Sequence, residues 1–425
     1  MDTWGPDTTT ESSAATVSAV STYALTRKKS AVRIRQHPLR RLPHAALEAC
    51  NVSLRYPHFG EATPTWSTTT TPIHARMVPA AYESSLMSGN SIFTMTDTAI
   101  VTVTHVDAPE VVTSAHFDEV LTDTYERVGA LPGMLQRIAG IQERRWWPEG
   151  HLFTDAAAAA GAKAIEGSGV RVEDIGLLID TSVCRDRLEP SSAVTVHNTL
   201  GLSSSCLSFD LSNACLGFVN ALQVAGNMIS SGQIDYALIV DGEGSRLTQE
   251  TTLARLTRPD VTLDILLAEF ATLTLGSGGA AAVIGRHSDN PGSHKVVRGV
   301  ARADSSHHDL CVGDLTQMRT DSRGLLDAGL HISKLVWGGV DQWGWMEADR
   351  YIVHQVSQIH TRMTCDVLGI DRAKIPLTFP FLGNVGPASI PITLSLETES
   401  LDVGDTVLLM GIGSGINTSV IELLW

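Results

Sequence analysis

The chain has 425 residues, with 43% hydrophobic and only 18% charged side chains. That is length for two to three domains and a large buried core. With 31 Lys and Arg against 46 Asp and Glu, the formal charge is −15, which argues against a nucleic-acid partner or docking on an anionic membrane surface.

Residues 1–87 carry Thr/Ser clusters, an Arg/Lys stretch from Arg27 to Arg41, and nine Lys/Arg against six Asp/Glu, which leaves the remaining chain near −18. No apolar periodicity drives packing there. The segment is expected to be disordered, or an extension upstream of a natural start near Met87 or Met95. Asp2, Asp7 and Glu11 oppose a transit peptide, since such peptides are poor in acids. Further on, Ala99–Val106 alternates like a strand and Phe117–Val128 reads as a helix. Thr154–Ile165 is an alanine-rich helix, and Ile175–Thr181 is a short apolar run suited to a strand buried on both faces. Ser208–Leu211 (strand), Cys215–Ser230 (helix) and Tyr236–Val240 (strand) follow. The helix puts Phe218, Leu222, Ala225 and Ile229 on one face, with Gly232 as its C-cap. Tyr351–Val353 and Asp405–Met410 are later apolar strands. Offsets of 170 residues from Asp235 to Asp405 and 174 from Leu178 to Ile352 suggest a duplicated α/β unit. The expected division is 88–285 and 286–425. No apolar run reaches the ~18 residues of a membrane span.

Six dispersed cysteines (Cys50, Cys184, Cys206, Cys215, Cys311, Cys365) form no CxxC pair. Neither a structural zinc nor a disulfide framework is indicated, and a reducing cytoplasm is the expected location. Cys215 follows a strand and opens a helix, where unpaired N–H groups favour thiolate over thiol. Such a cysteine is either an activated nucleophile or a small buried hydrophobe. His354 at a strand tip and Asn384 between glycines can together hydrogen-bond a developing oxyanion. They can equally be a core histidine and a turn asparagine. Gly411–Gly415 (GIGSG) lacks the Lys-Ser/Thr of a P-loop and the GxGxxG fingerprint, so a backbone-donor loop beside a reacting carbonyl fits better. His307, His308, Asp309 and Cys311 read as a solvated loop rather than a metal site.

Together SNACLGF around Cys215, YIVHQVS around His354, GNVGPAS around Asn384 and the terminal GIGSG resemble the thiolase superfamily, in the ketoacyl-synthase III order Cys, His, Asn. The resemblance runs from about Thr98 to Trp425. GIQERRWW (Gly140–Trp147), TSVCRDRLEPSSA (Thr181–Ala193) and ALIVDGEGS are most similar to OleA-type thiolases, which join two fatty acyl-CoA molecules head to head.

This resemblance implies two similar α/β halves in a layered α-β-α-β-α core and a homodimer. It implies Cys215 as acyl acceptor, His354 and Asn384 acting on the thioester carbonyl and an enolate, and an oxyanion hole from the backbone N–H groups of Cys215 and Ser414. Glu189 would reach the partner subunit's site as the base. A decarboxylating synthase needs no base, whereas joining two plain acyl chains does; burial must then raise a carboxylate from its usual pKa near ~4.3. Read without the resemblance, Glu189 is a helix-start acid before Pro190. Leu253, Leu256, Leu263, Leu266 and Leu267 would line an alkyl channel or pack in the core. The implied product is a 2-alkyl-3-oxo fatty acid, the first step of long-chain olefin biosynthesis, with later enzymes reducing and decarboxylating it. No metal or redox cofactor is implied; coenzyme A comes with the substrates. The alternative is a decarboxylative 3-oxoacyl synthase III using a malonyl-carrier protein.

Overall fold

The structure, a computed structural model, describes residues 89–425, so the expectations for 1–87 lie outside the described residues. The first half runs β1 (Ser91–Asp107), β2 (Glu110–Thr113), α1 (Ser114–Val120), α2 (Thr122–Val128), β3 (Glu143–Trp146), α3 (Phe153–Ser168) and β4 (Ile175–Asp180). It continues through α4 (Ser192–Leu200), β5 (Leu207–Asp210), α5 (Gly217–Ser230), β6 (Tyr236–Glu243), α6 (Arg246–Leu256), α7 (Leu263–Glu269) and β7 (Gly278–Gly285). The second half comprises β8 (His294–His307), β9 (Cys311–Gly313), β10 (Met318–Thr320), α8 (Ser322–Gly338) and β11 (Arg350–Val353). Then come α9 (Gln358–Leu368), α10 (Phe379–Leu382), α11 (Ser389–Glu397), β12 (Thr406–Gly413) and β13 (Gly415–Leu424).

Nine strands form one sheet in the order β11-β12-β13-β8-β1-β7-β6-β4-β5. From β1 outward, β7 and then β6 pair antiparallel, and β4 runs parallel to β6. From β8 outward, β13 and β12 pair antiparallel, and β11 runs parallel to β12. One pattern is thus laid down twice, joined through the antiparallel pair β1–β8. β6 and β12 hold equivalent places, as do β4 and β11, which accounts for both sequence offsets. Ser91–Thr94 already pair with Arg298–Ala301. A chain starting at Met95 would lose that pairing, whereas one starting at Met87 keeps β1 whole.

Alternation along the strands builds the layers. Leu177, Ile179, Ala237 and Ile239 face inward with Ile352, Val407 and Leu409, and enclose α5 and part of α11. Leu178, Leu238 and Val240 face outward under the alanines of α3 and Val196 of α4. Tyr351, Val353 and Leu408 pack beneath Val336 of α8 and Leu368 of α9. The result is the expected α-β-α-β-α stack, with α5 enclosed at its centre.

Phe218, Leu222, Ala225 and Ile229 of α5 are all buried, and Gly232 takes the left-handed conformation that closes the helix (φ +75°). The predicted helix over 117–128 is instead two helices that break at Leu121. There the Thr122 hydroxyl donates to the carbonyls of Asp118 and Glu119 (3.0 and 3.1 Å), competing with helix continuation.

Candidate active site

β4, β5 and β6 are parallel, so their carboxyl ends share one edge; β11 and β12 do the same in the other half. Loops leaving such ends are where open α/β sheets place ligands. Cys215 follows β5, Glu243 ends β6, His354 follows β11 and Ser414 follows β12. Cys215, Glu243, His354, Asn384 and Ser414 all line one cavity of about 900 Å³.

Cys215 sits in the turn before α5 rather than inside it. The preceding residue, Ala214, is held at φ +46°, an uncommon conformation for a side-chain-bearing residue. Asn213 braces the turn, donating to Asn220 Oδ1 (2.7 Å) and accepting from Asn417 Nδ2 (3.1 Å). The end of β12 presses on this turn: a Cβ at Gly413 would lie 2.8 Å from the Asn213 carbonyl. Gly411 and Gly413 of GIGSG therefore serve close approach to the Cys215 turn, with Ser414 at the tip between β12 and β13.

His354 extends the β11–β12 pairing, its N–H donating to Met410 O (3.0 Å). Its imidazole is buried, and burial, then the nearby His360, pushes its pKa down to about 3, so the ring is neutral near pH 7. Nδ1 finds no partner among the described residues. The adjacent Gln355 is a clamp that the sequence did not disclose. Its amide donates to Val353 O and Pro376 O and accepts from Thr378 and Phe379 N–H, binding the histidine loop to the segment leading to Asn384. Asn384 N–H donates to Thr274 O (2.8 Å) and its carbonyl accepts from Gly276 N–H (2.9 Å). Its Oδ1 accepts from Gly386 N–H (3.0 Å), which leaves the amide nitrogen as the donor for a ligand oxygen. Gly276 is required there, since a Cβ would meet Leu382 O at 1.7 Å.

The thiol departs from the sequence expectation. Its position before α5 predicts an ionised sulfur, yet the Cys215 pKa is pushed up to about 12, by burial first and then by the negative charge of Glu243. The backbone N–H acts in the lowering direction but is the weaker influence. Glu243 is itself buried, and burial raises its carboxyl to about 7. Cys215 therefore rests as a thiol, and acting as a nucleophile would require it to lose its proton as it attacks. Iodoacetamide labelling of Cys215 in the resting protein should accelerate about tenfold per pH unit from pH 7 to 9 without levelling off. A plateau below pH 8 would contradict this.

Apart from the polar cluster, the cavity wall is largely apolar. Leu325, Leu326, Leu330 and Trp337 of α8, Leu368 of α9 and Met318 of β10 supply it. The leucines between Gly244 and Leu275 do not: Leu253, Leu256 and Leu266 pack with Phe117 and Trp146 in a separate core, while Leu263 and Leu267 are exposed. Of the two readings of these leucines, core packing holds for three and a channel for none. Cys311 is also reassigned, since β9 turns it into the cavity.

Residues 209–257 match the family 3-oxoacyl-[acyl-carrier-protein] synthase III, and residues 341–425 match the C-terminal part of the same family. The acyl-CoA:acyl-CoA alkyltransferase of Xanthomonas campestris is 43% identical over 332 residues, 77% of this chain and 98% of the relative. That of Shewanella oneidensis is 33% identical, over 75% of this chain and 96% of the relative. A crystal structure of X. campestris OleA, a cysteine-to-serine variant with bound lauric acid and lauroyl-CoA, superposes with a TM-score of 0.76 at 43% identity, covering 78% of this chain and all of that one. This chain is an OleA-type member of the thiolase superfamily. By comparison, the β-ketoacyl synthase III of Neisseria meningitidis is 27% identical over 69% of this chain and 90% of the relative.

As a thiolase-superfamily acyltransferase, the chain brings four predicted residues to one cavity, and the fifth lies outside it. Glu189 is exposed on the loop between β4 and α4 and does not line its own chain's cavity. That loop is braced at both ends. Asp186 accepts from the N–H groups of Phe153 and Thr154 at the start of α3 (2.8 and 3.1 Å). Arg185 is ion-paired with Asp210, which also accepts from Ser192 and Ala193 N–H at the start of α4. Only Arg187–Pro190 project beyond these ties.

Proposed function

We propose that the protein carries out a non-decarboxylative Claisen condensation of two fatty acyl-CoA molecules, as part of a homodimer in which Glu189 works in the partner's cavity. The observation that carries the reading is Cys215, His354, Asn384 and Ser414 converging on one cavity with a largely apolar wall. The likeness to alkyltransferases that match over nearly their whole length supports the substrate class.

In the first step the Cys215 sulfur bonds to the acyl carbon, the carbon–sulfur bond to coenzyme A breaks, and the thiol proton passes to the departing sulfur. Glu189 of the partner subunit then removes a proton beside the thioester carbonyl of the second acyl-CoA. Neutral His354 and the Asn384 amide donate to the enolate oxygen as it gains charge. The α-carbon bonds to the Cys215 thioester carbon, while the backbone N–H groups of Cys215 and Ser414 hold the oxyanion. Collapse breaks the sulfur–carbon bond, and the cysteine recovers a proton from Glu189. Hydrolysis of the remaining coenzyme A thioester releases a 2-alkyl-3-oxo fatty acid. Coenzyme A enters and leaves as part of the substrates, and the residues named need no metal or redox partner.

The loop tip supports the cross-subunit role. Leu188 is 91% exposed although its loop is tied at both ends, and Leu207 on the edge strand β5 and Val194 of α4 are exposed as well. Large apolar groups on a braced loop next to an open sheet edge suit burial against a second copy. In this reading the halves 88–285 and 286–425 supply the nucleophile and the His–Asn pair respectively. The reaction is placed in the cytoplasm, where Cys215 stays reduced, as the first step toward long-chain olefins, ahead of enzymes that reduce and decarboxylate the product. Among the described residues no helix is long and apolar enough to cross a membrane. The test supplies a single long-chain acyl-CoA with no malonyl donor. A β-keto acid, or the ketone it decays to, is expected; product only when a malonyl donor is added would overturn the reading in favour of a decarboxylative synthase.

A further inference from the structure

The backbone pairing of β4 with β6 ends at Asp180 and Val240, but the two chains stay side by side for four more residues. Side chains replace the ladder there. The Thr181 hydroxyl donates to Asp241 (2.5 Å), and Gly242 N–H donates to the Ser182 hydroxyl (2.8 Å). The Glu243 carboxylate accepts from Val183 N–H (2.5 Å) and Cys184 N–H (3.4 Å), and Gly244 N–H donates to Cys184 Sγ (3.5 Å). Each contact joins residues about 60 apart in sequence, so the root of the Glu189 loop is zippered to the end of β6.

Glu243, like Asp241, is a carboxyl rung of this zipper. Its side chain lines the same cavity as Cys215, and a Cβ at Gly386, in the Asn384 loop, would lie 3.4 Å from its carboxyl carbon. Trp147 fixes the main chain from the far side, its indole N–H donating to Glu243 O (2.9 Å). One buried carboxyl thus touches the root of the Glu189 loop and the Asn384 loop beside the thiol. A carboxylate suits the place because its two oxygens accept the two N–H groups separately. We propose that Glu243 is a positioning residue that sets where Glu189 of its own chain arrives in the partner's cavity. This rests on the cross-subunit role given to Glu189 above.

Two mixed dimers separate that role from a local one. In the first, Glu243→Ala and Cys215→Ala share one chain and the other is unaltered, so the only working thiol is served by Glu189 from the altered chain. In the second, the Glu243→Ala chain is paired with a Cys215→Ala chain, so the working thiol lies beside the altered residue but is served by an intact loop. With one long-chain acyl-CoA as substrate, the loss of kcat in the first should exceed that in the second by about tenfold, within the roughly 10²-fold that an ångström of misplacement can cost. Equal losses, a larger loss in the second, or no loss in either would overturn the proposal.

The same two arrangements with Glu189→Gln in place of Glu243→Ala are the control. If the effect of Glu189→Gln does not follow the arrangement, the cross-subunit reading itself fails. If it does and that of Glu243→Ala does not, only the positioning role fails. Glu243→Gln keeps an acceptor oxygen and should recover most of the lost rate in the first dimer. Should the alanine chain not assemble, the glutamine chain carries the test: a loss of about threefold confined to the first dimer supports the proposal, and any other distribution overturns it.

Discussion

Cys215→Ala is expected to end product formation, with a loss of about 10⁴-fold or more, and to remove the acyl adduct seen by intact mass in the unaltered protein. The loss is large because the acyl group has no other suitable acceptor. Cys184 shares the cavity, but its thiol donates to Gly244 O and burial holds its pKa well above the usual thiol value. Cys311 lines the same cavity but sits on β9, outside the turn whose backbone N–H is to hold the oxyanion. Stability should change little, since Cys215 makes no side-chain hydrogen bond in the structure and alanine removes only its sulfur. An adduct on Cys184 or Cys311 in the Cys215→Ala protein, with product still forming, would contradict the assignment.

Glu189→Gln should leave the Cys215 adduct forming at near its normal rate while condensation falls about 10²- to 10⁴-fold, the usual share of a general base. Two measurements divide the steps: adduct formation by mass, and exchange of the α-hydrogens of the acyl-CoA for deuterium in D2O. The first should survive and the second should disappear. Thermal stability should hold, because Glu189 is exposed and its carboxylate makes no hydrogen bond in the described chain. Loss of acylation in step with condensation would assign Glu189 to binding or folding instead.

Much of this site was legible before any coordinates. Short strands followed by Cys215, His354 and a glycine run carry their own position, because parallel strands deliver their carboxyl ends to one edge. The duplication was legible as well, since β4 and β11 have no choice but to be continuously apolar when covered on both faces. The electrostatics were not. A helix N-terminus argues for a thiolate, and burial of the sulfur, then the buried Glu243, reverses that; the carboxyl comes from β6, 28 residues downstream of the thiol. Glu243 and Gln355 were missed because a Glu within DGEG and a Gln after His354 have ordinary surface readings. Their meaning depends on loops 60 and about 20 residues away. The leucines between 244 and 275 stayed open between core and channel because helical spacing marks an apolar face without saying what covers it; Leu253, Leu256 and Leu266 prove to be core.

In the proposed reaction, thiol and base meet across a subunit boundary. Co-expressing a Cys215→Ala chain with a Glu189→Gln chain, each inactive as a homodimer, tests it most directly. In the mixed dimer one cavity has an intact Cys215 on the Glu189→Gln chain and receives Glu189 from the Cys215→Ala chain. Purified mixed dimers should therefore regain up to about half the activity of the unaltered enzyme, one working site of two. No recovery above the two homodimers would mean that each chain uses its own Glu189, or none, and would contradict the account.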